Sequence, residues 1–236
     1  MGKVIMSGIV PQLNVPVAYD PVFANNDWVT IIKVCQAGIC PKTWEVGDKK
    51  AITIEGKEYL VDIIGKNHDM YSDGSGKAPL TFQLHDCYGT TYWINSSNTN
   101  VGGWTSCAMR TTHLQTVFAL MPSEVQSGIK KVNKFTGAGG ASSTINTTED
   151  KLFLLSEIEV FGTATYSVAG EGAQYDYYAA GNGTGKYLNG TGQSSWTRSP
   201  FGNATSGWIA ARGGTGVDSI SIAANSSSGI AFAFCF

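Results

Sequence analysis

Hydrophobic residues change their spacing several times along the chain, and each spacing predicts a different element. Apolar and polar side chains alternate over residues 50–54, a Glu55-Gly56-Lys57 turn follows, and residues 58–65 alternate again. Period-two patterning on both sides of a glycine-containing turn predicts a β-hairpin, and residues 81–84 continue its sheet. Within residues 106–120, Met109, Leu114, Val117, Phe118 and Leu120 recur with roughly helical spacing, while Arg110 and His113 fall among the polar positions. After Pro122, Ser123 is placed to cap a second helix. Its Val125, Ile129 and Val132 recur at i, i+4 and i+7, and Gly137 to Gly140 stop it. Residues 151–156 form a short apolar run that predicts a fully buried strand. Periodicity is lost from 163 to 195, and the chain then closes in a meander of short strands at 208–211, 219–223 and 230–236.

The two ends carry contrasting signals. Ile230, Phe232, Phe234 and Phe236 alternate up to the last residue, so the terminus is expected as a strand with these four side chains on one buried face rather than as a fraying tail. At the other end, Val10-Pro11, Val15-Pro16 and Asp20-Pro21 force extended backbone, because the residue before a proline is pushed out of the helical region. Residues 28–34 then read as one strand, with Gly38-Ile39-Cys40-Pro41 as its turn. Residues 1–43 are read as an extended arm that docks onto a neighbouring subunit, the alternative being an extra edge strand on the main domain of residues 44–236.

Composition narrows the classes of partner. Sixteen basic residues against 18 acidic ones leave a formal charge of −2, and charged residues make up only 14% of the chain, well below the roughly 25% usual in soluble domains. Nucleic acid and anionic membrane find no positive field here, so neither is expected as a partner. No stretch approaches the ~18 apolar residues needed to span a bilayer. The residues before Pro11 are too few for the apolar core of a secretory signal. Gly, Ser, Thr, Asn, Tyr and Trp stand in place of charge. This is a mixture suited to exposed loops that recognise by neutral hydrogen bonding and stacking. The five cysteines, an odd number without repeated close spacing, argue against a disulfide framework and are expected mostly as buried thiols.

The segment Ser195-Trp196-Thr197-Arg198-Ser199-Pro200, the Gly/Ser/Asn-rich meander after it and the closing Gly229-Ile230-Ala231-Phe232-Ala233-Phe234 together resemble a family marked by W-x-R-S-P and a final G-x-x-x-A-F-type strand. Its members occur in phage virion proteins and in surface proteins of gut Firmicutes. The resemblance covers roughly residues 44–236, with Trp44-Glu45-Val46-Gly47-Asp48 at its start and Trp104 to Arg110 and Leu152-Phe153-Leu154-Leu155-Ser156 in its middle. It implies an α+β, C-type-lectin-like (formylglycine-generating-enzyme-like) domain of short antiparallel strands with two helices. Together with the docking arm of residues 1–43, it leads to the expectation of a virion structural protein, displayed in several copies as a homo-oligomer, that joins other virion subunits through the arm and binds a host-surface glycan or protein. A composition suited to the cell exterior without an export signal fits assembly inside a host cell and release by lysis. A purely architectural head-decoration or tail protein and an enzyme of the same fold are the alternatives.

The candidate chemistry points to binding rather than catalysis. No P-loop, His-Glu-x-x-His or Gly-x-Ser-x-Gly motif is present. The enzymatic branch of the lectin-like fold needs a closely spaced cysteine pair near its C-terminus, where Cys235 stands alone. Glu157 and Glu159 are spaced to flank a bond if they lie on a strand, a spacing any strand shows by chance. Residues 67–76 alternate Asn and Asp oxygens as a calcium loop does, yet an EF-hand register starting at Asp69 puts Leu80 where a bidentate Glu is required. The segment is read as an Asx/Gly turn, with a different calcium loop as the alternative. His85 and Cys87 with Cys35 and Cys40 do not have zinc-finger or ribbon spacing, and no metal or cofactor is expected. The expected binding surface is built from Tyr175, Asp176, Tyr177 and Tyr178, beside Asn182 and Tyr187, and from Asn203, Trp208, Arg212 and Asp218 of the meander. Flat aromatic faces and short polar side chains are the contact chemistry of antibody loops. Trp196 and Arg198 are assigned to the scaffold.

Overall fold

The computed structural model describes residues 17–216 and 218–236, and within them the chain is α+β, with small antiparallel sheets and short helices around a shared core. The expected hairpin is present. β1 (Lys49–Ile54) and β2 (Lys57–Lys66) pair from Ile54↔Lys57 outward, and both turn residues take positive φ, Glu55 at 50° and Gly56 at 75°. That is the backbone of a two-residue hairpin turn whose twist matches the strands it joins. β3 (Leu80–Leu84) adds to β2 across a bulge, and the terminal ribbon completes the sheet.

In that ribbon, β11 (Ala233–Cys235) lies antiparallel to β3, with Phe234 opposite Phe82. On its other edge Ala233 pairs with Phe153, and Cys235 O accepts from Lys130 N at 3.0 Å. Ile230, Phe232, Phe234 and Phe236 are all buried, as their alternation requires, and Phe82, Phe234 and Phe236 stack within 5.3–5.5 Å of one another. The intervening Ala231, Ala233 and Cys235 are equally buried, so the ribbon is enclosed on both faces and on both edges.

Three expectations require correction. Residues 28–34 are helical: α1 (Trp28–Gln36) starts at Asp27, whose side chain accepts the Thr30 N–H at 2.6 Å. Trp28, Ile31, Ile32 and Cys35 fall on one helical face, and that face is packed into the core, with Trp28 edge-on to Phe82 and Phe236. Phe23, in the 3₁₀ turn Phe23–Asn25, stacks against Trp44 and Phe82. Residues 17–43 are therefore part of the domain and not a separate arm. The Val10-Pro11 and Val15-Pro16 positions lie outside the described residues.

The second correction concerns the helical middle. α2 (Gly103–Ser106), a π turn at Met109–His113 and α3 (Leu114–Leu120) replace one continuous helix, and α4 (Ser123–Gly128) ends early. Ser123 is the first residue of α4 rather than its cap. Val132, expected as the last helical contact, begins β4 (Val132–Gly137), which pairs with β5 (Ile145–Asp150). A Cβ on Gly128 would come within 2.6 Å of Ile32, so the helix ends where α1 crosses it most closely.

Third, of residues 151–156 all but Lys151 are buried, and they contribute one bridging residue, Phe153, rather than a strand. Beyond them, α5 (Glu157–Phe161) is closed by a capping box between Ser156 and Glu159, and α6 (Asp176–Ala179) follows a long loop. β6 (Lys186–Leu188) and β7 (Thr191–Gln193) form a hairpin. Of the expected meander, β9 (Trp208–Ala211) and β10 (Ser219–Ile222) pair with each other, but their third strand is β8 (Ser195–Pro200), in the order β10-β9-β8, while the 230–236 segment pairs with β3 instead. No described helix is long and apolar enough to cross a membrane.

Candidate functional site

The W-x-R-S-P strand β8 carries the densest polar cluster, and that cluster is internal. Arg198 is fully buried. Its Nε donates to Thr136 Oγ1 (3.0 Å), Nη1 donates to Leu154 O (2.9 Å) and to Glu159 Oε2, and Nη2 donates to Glu159 Oε1 (2.8 Å) and Glu171 O (2.9 Å). Lys134 Nζ reaches Asp69 Oδ1 and Glu159 Oε1, each at 2.7 Å, and Tyr175 Oη at 3.1 Å. Asp69 also accepts from Thr81 Oγ1 (2.6 Å). Burial opposes ionisation of Asp69, yet the Lys134 ammonium and the Thr81 hydroxyl hold its carboxyl down at about 2. Burial likewise opposes charge on Glu159, and Arg198 with Lys134 lowers it. Paired and fully hydrogen-bonded in this way, the buried charges specify how β4, β8 and α5 sit together.

This cluster settles several candidate roles. Glu157 and Glu159 lie on a helix, not a strand. Glu157 accepts from Tyr166 N, Ser167 N and Ser219 Oγ, so neither carboxylate is free to flank a substrate bond. Glu171, engaged by Gly137 N and Ser199 Oγ, is pushed up to about 7 by burial. Asp69 faces Lys134 and not a calcium loop, while Asp73 forms the expected Asx turn by accepting Ser75 N at 2.9 Å. Cys235 is enclosed beside Thr81 and Asp69, and burial raises its thiol. His85 pairs with Asp62, separate from the sulfurs of Cys35 and Cys40, which touch each other. Among the described residues, no group of three or more His, Cys, Asp or Glu side chains is placed to hold a metal ion.

The eight residues expected to form a binding surface divide in half. Tyr175, Tyr177, Tyr178 and Trp208 are buried, which corrects their assignment to an exposed platform. Tyr175 bonds Asp69, Tyr178 Oη donates to Gln83 Oε1 at 2.5 Å, and Trp208 Nε1 donates to Thr99 O at 3.3 Å. Truncating any of these four alters packing before it alters a ligand contact. Asp176, Asn203, Arg212 and Asp218 are exposed. Arg212 and Asp218 pair at 2.7 Å and close the turn between β9 and β10. The turn carrying Asn203 is held from below by Asn100, whose Nδ2 lies within hydrogen-bonding distance of the carbonyls of Phe201, Ala204, Ser206 and Gly207 and whose Oδ1 accepts Gly140 N. Gly139, with φ +69°, passes so near Asn100 that a Cβ would fall 1.7 Å from its carbonyl oxygen. The loops are outward as expected, but their aromatic anchors are not.

An aromatic cleft opens elsewhere. The start of β2, the segment after β3 and the β6–β7 hairpin enclose about 270 Å³, lined by Lys57, Tyr59, His85, Asp86, Tyr187 and Asn189 among others. Tyr187 is exposed and Tyr59 half-buried. Tyr59 packs on Tyr88 at 5.1 Å, and Lys57 Nζ sits 5.2 Å from the Tyr59 ring and 3.4 Å from Asn189 Oδ1 across the gap. The wall is fixed in place: Tyr187 N donates to Asp86 Oδ1 (3.1 Å), Cys87 N donates to Tyr187 O (2.9 Å), and the buried Lys186 ammonium bonds the carbonyls of Leu84 and His85. His85 Nδ1 is 2.7 Å from Asp62 Oδ2, which orients the imidazole at the cleft edge. Gly214 N donates to Lys186 O, so the turn bearing Arg212 braces the same hairpin from behind. Of these residues the sequence pattern pointed to Tyr187 alone for binding, and weighed His85 only as a zinc ligand. Tyr59 was legible only as one position of an alternating strand, and its pairing with the hairpin of residues 186–193 depends on contacts more than 100 residues apart.

The family described as a domain of unknown function (DUF6273) matches residues 76–235. The match begins after the β1–β2 hairpin, although that hairpin shares a sheet with β3 and β11. No curated protein and no solved structure matches the chain.

Proposed function

We propose that this chain, which belongs to the DUF6273 family, is a non-catalytic binding module of C-type-lectin-like type, displayed on a phage particle and contacting a host-surface glycan or protein. The observation that carries the reading is the tyrosine-walled cleft, lined by Tyr59 and Tyr187 together with Lys57, Asp86 and Asn189. Ring faces suit the apolar C–H faces of sugars and the side chains of proteins, and short polar groups at the rim orient such ligands. The absence of catalysis is supported by the carboxylates of residues 157, 159 and 171 being engaged inside the domain. A lectin-like arrangement is supported by small antiparallel sheets that flank a helical middle and by a C-terminal strand that closes onto β3.

Glycan-array and host-cell binding of the purified chain test the proposal. Specific binding is expected, with Tyr187→Ala reducing it at least about tenfold, roughly the 1.4 kcal/mol of one lost aromatic contact, while the melting temperature stays within about 2 °C. Silence on every host surface favours the architectural role. Binding that survives Tyr187→Ala and Tyr59→Ala places the ligand on the Asn203 or Arg212 turns instead.

A further inference from the structure

The thiols of Cys35 and Cys40 touch, with their sulfurs 3.4 Å apart and no bond between them. Cys35 is the penultimate residue of α1, and Cys40 lies beyond the turn at Gly38, whose φ of +67° folds the chain back on the helix end. Cys40 is half-buried, and Cys35, itself buried, sits at the wall of a cleft of about 490 Å³ shared with Gly38, Tyr71, Asp73 and Lys130. The other three cysteines differ. Cys87, Cys107 and Cys235 are buried without a sulfur neighbour, and burial pushes Cys87 and Cys107 up to about 12.

From this juxtaposition we propose that Cys35 and Cys40 are a reversible dithiol–disulfide pair, a site of exchange with small-molecule disulfides that fastens the end of α1 to the following loop. The sulfurs have to approach by only about 1.4 Å to reach bonding distance, and the backbone between them turns at a glycine. Exchange starts at Cys40. The Cys35 thiol donating to its sulfur and the nearby Lys66 ammonium lower Cys40 despite partial burial, and the proton stays on Cys35. The Cys40 thiolate attacks one sulfur of the disulfide RSSR, forming Cys40–S–S–R and expelling RS⁻. That thiolate takes the Cys35 proton, and the Cys35 sulfur attacks Cys40 Sγ, forming the intramolecular bond and expelling the second RS⁻, which is protonated by solvent. The two cysteines are oxidised and RSSR is reduced to two RSH.

The full chain is equilibrated in glutathione buffers from fully reduced to fully oxidised, quenched with an alkylating agent and digested for mass spectrometry. A peptide pair joined through Cys35 and Cys40 is expected to accumulate as the buffer is oxidised and to disappear on reduction, with Cys87, Cys107 and Cys235 remaining alkylatable thiols. The oxidised form is expected to melt about 4–8 °C higher, the effect of closing a short loop in a domain of this size. In Cys40→Ser, whose side chain is half-buried and tolerant, that redox-dependent rise disappears. Persistent free thiols in oxidised buffer, glutathione adducts that never close, a link to another cysteine, or a melting shift retained in Cys40→Ser each overturn the proposal.

Discussion

Glu171 ties the polar interior to pH. Its carboxylate accepts from Gly137 N at 2.7 Å and from Ser199 Oγ, but no cation bonds its oxygens, and burial raises it from 4.5 to about 7. A raised acid binds its proton more tightly in the folded state, so between these two values the folded chain holds more protons than the unfolded one. Stability from this group is therefore complete below pH 4.5 and is lost as pH rises towards 7. At ~1.4 kcal/mol per pH unit, the loss across the window is about 3 kcal/mol. Glu171→Gln mimics the protonated form: its carbonyl keeps the Gly137 N–H, and its amide donates to Ser199 Oγ. Urea denaturation of both proteins at half-unit steps from pH 4.5 to 8 isolates the effect. Burial lowers His113, and its contribution, common to both proteins, cancels in the difference. The two proteins are expected to be about equally stable at pH 4.5, with the variant ahead by up to about 3 kcal/mol at pH 8. A difference that is flat with pH, or a variant less stable at pH 8, refutes the assignment of a buried, cation-free carboxylate at this position.

Two further substitutions probe the scaffold. Arg198→Met leaves Glu159 with Lys134 as its sole charge partner and strips donors from the carbonyls of Leu154 and Glu171; a loss of about 3–5 kcal/mol is expected in urea midpoints, partly recovered when Glu159→Leu is added. Asn100→Ala removes the side chain that gathers the carbonyls of residues 201–207, so a loss of about 2–4 kcal/mol is expected together with new limited-proteolysis cuts within that turn.

What the sequence revealed follows the range of the interaction involved. The β1–β2 hairpin and the buried tail were legible because alternation and a two-residue turn are local. Trp196 and Arg198 were recognised as scaffold, but their partners were not, since Glu159 and Lys134 are brought to Arg198 by the packing of separate elements. Residues 28–34 misled because Val29, Thr30, Ile31, Ile32 and Val34 are β-branched, a composition that favours strands. The overriding signals were present: Asp27 is a helix cap, and Trp28, Ile31, Ile32 and Cys35 repeat at i, i+3, i+4 and i+7. For Tyr175, Tyr177, Tyr178 and Trp208, an aromatic side chain in a glycine-rich stretch reads the same whether it faces solvent or plugs the space beneath a loop. Which it does depends on where Gln83, Asp69 and Thr99 lie.

The burial of charge has a consequence for recognition. Nine acidic or basic side chains are buried among the described residues: Asp62, Asp69, Asp150, Glu157, Glu159, Glu171, Lys134, Lys186 and Arg198. Six carboxylates against three cations give that set a formal charge of −3, so the rest of the chain carries +1 against the whole-chain −2. A chain with few charges has placed nine of them inside, part of the set fixing how β4, β8 and α5 sit together, and the remaining side chains carry a formal net charge of only +1. Long-range steering of a charged partner requires a field that such an exterior does not generate. Under the proposed function, capture depends on short-range contact in the cleft lined by Tyr59, Tyr187, Asp86 and Asn189. Such contacts are weak one at a time, so the proposed function calls for several copies side by side to raise the effective concentration.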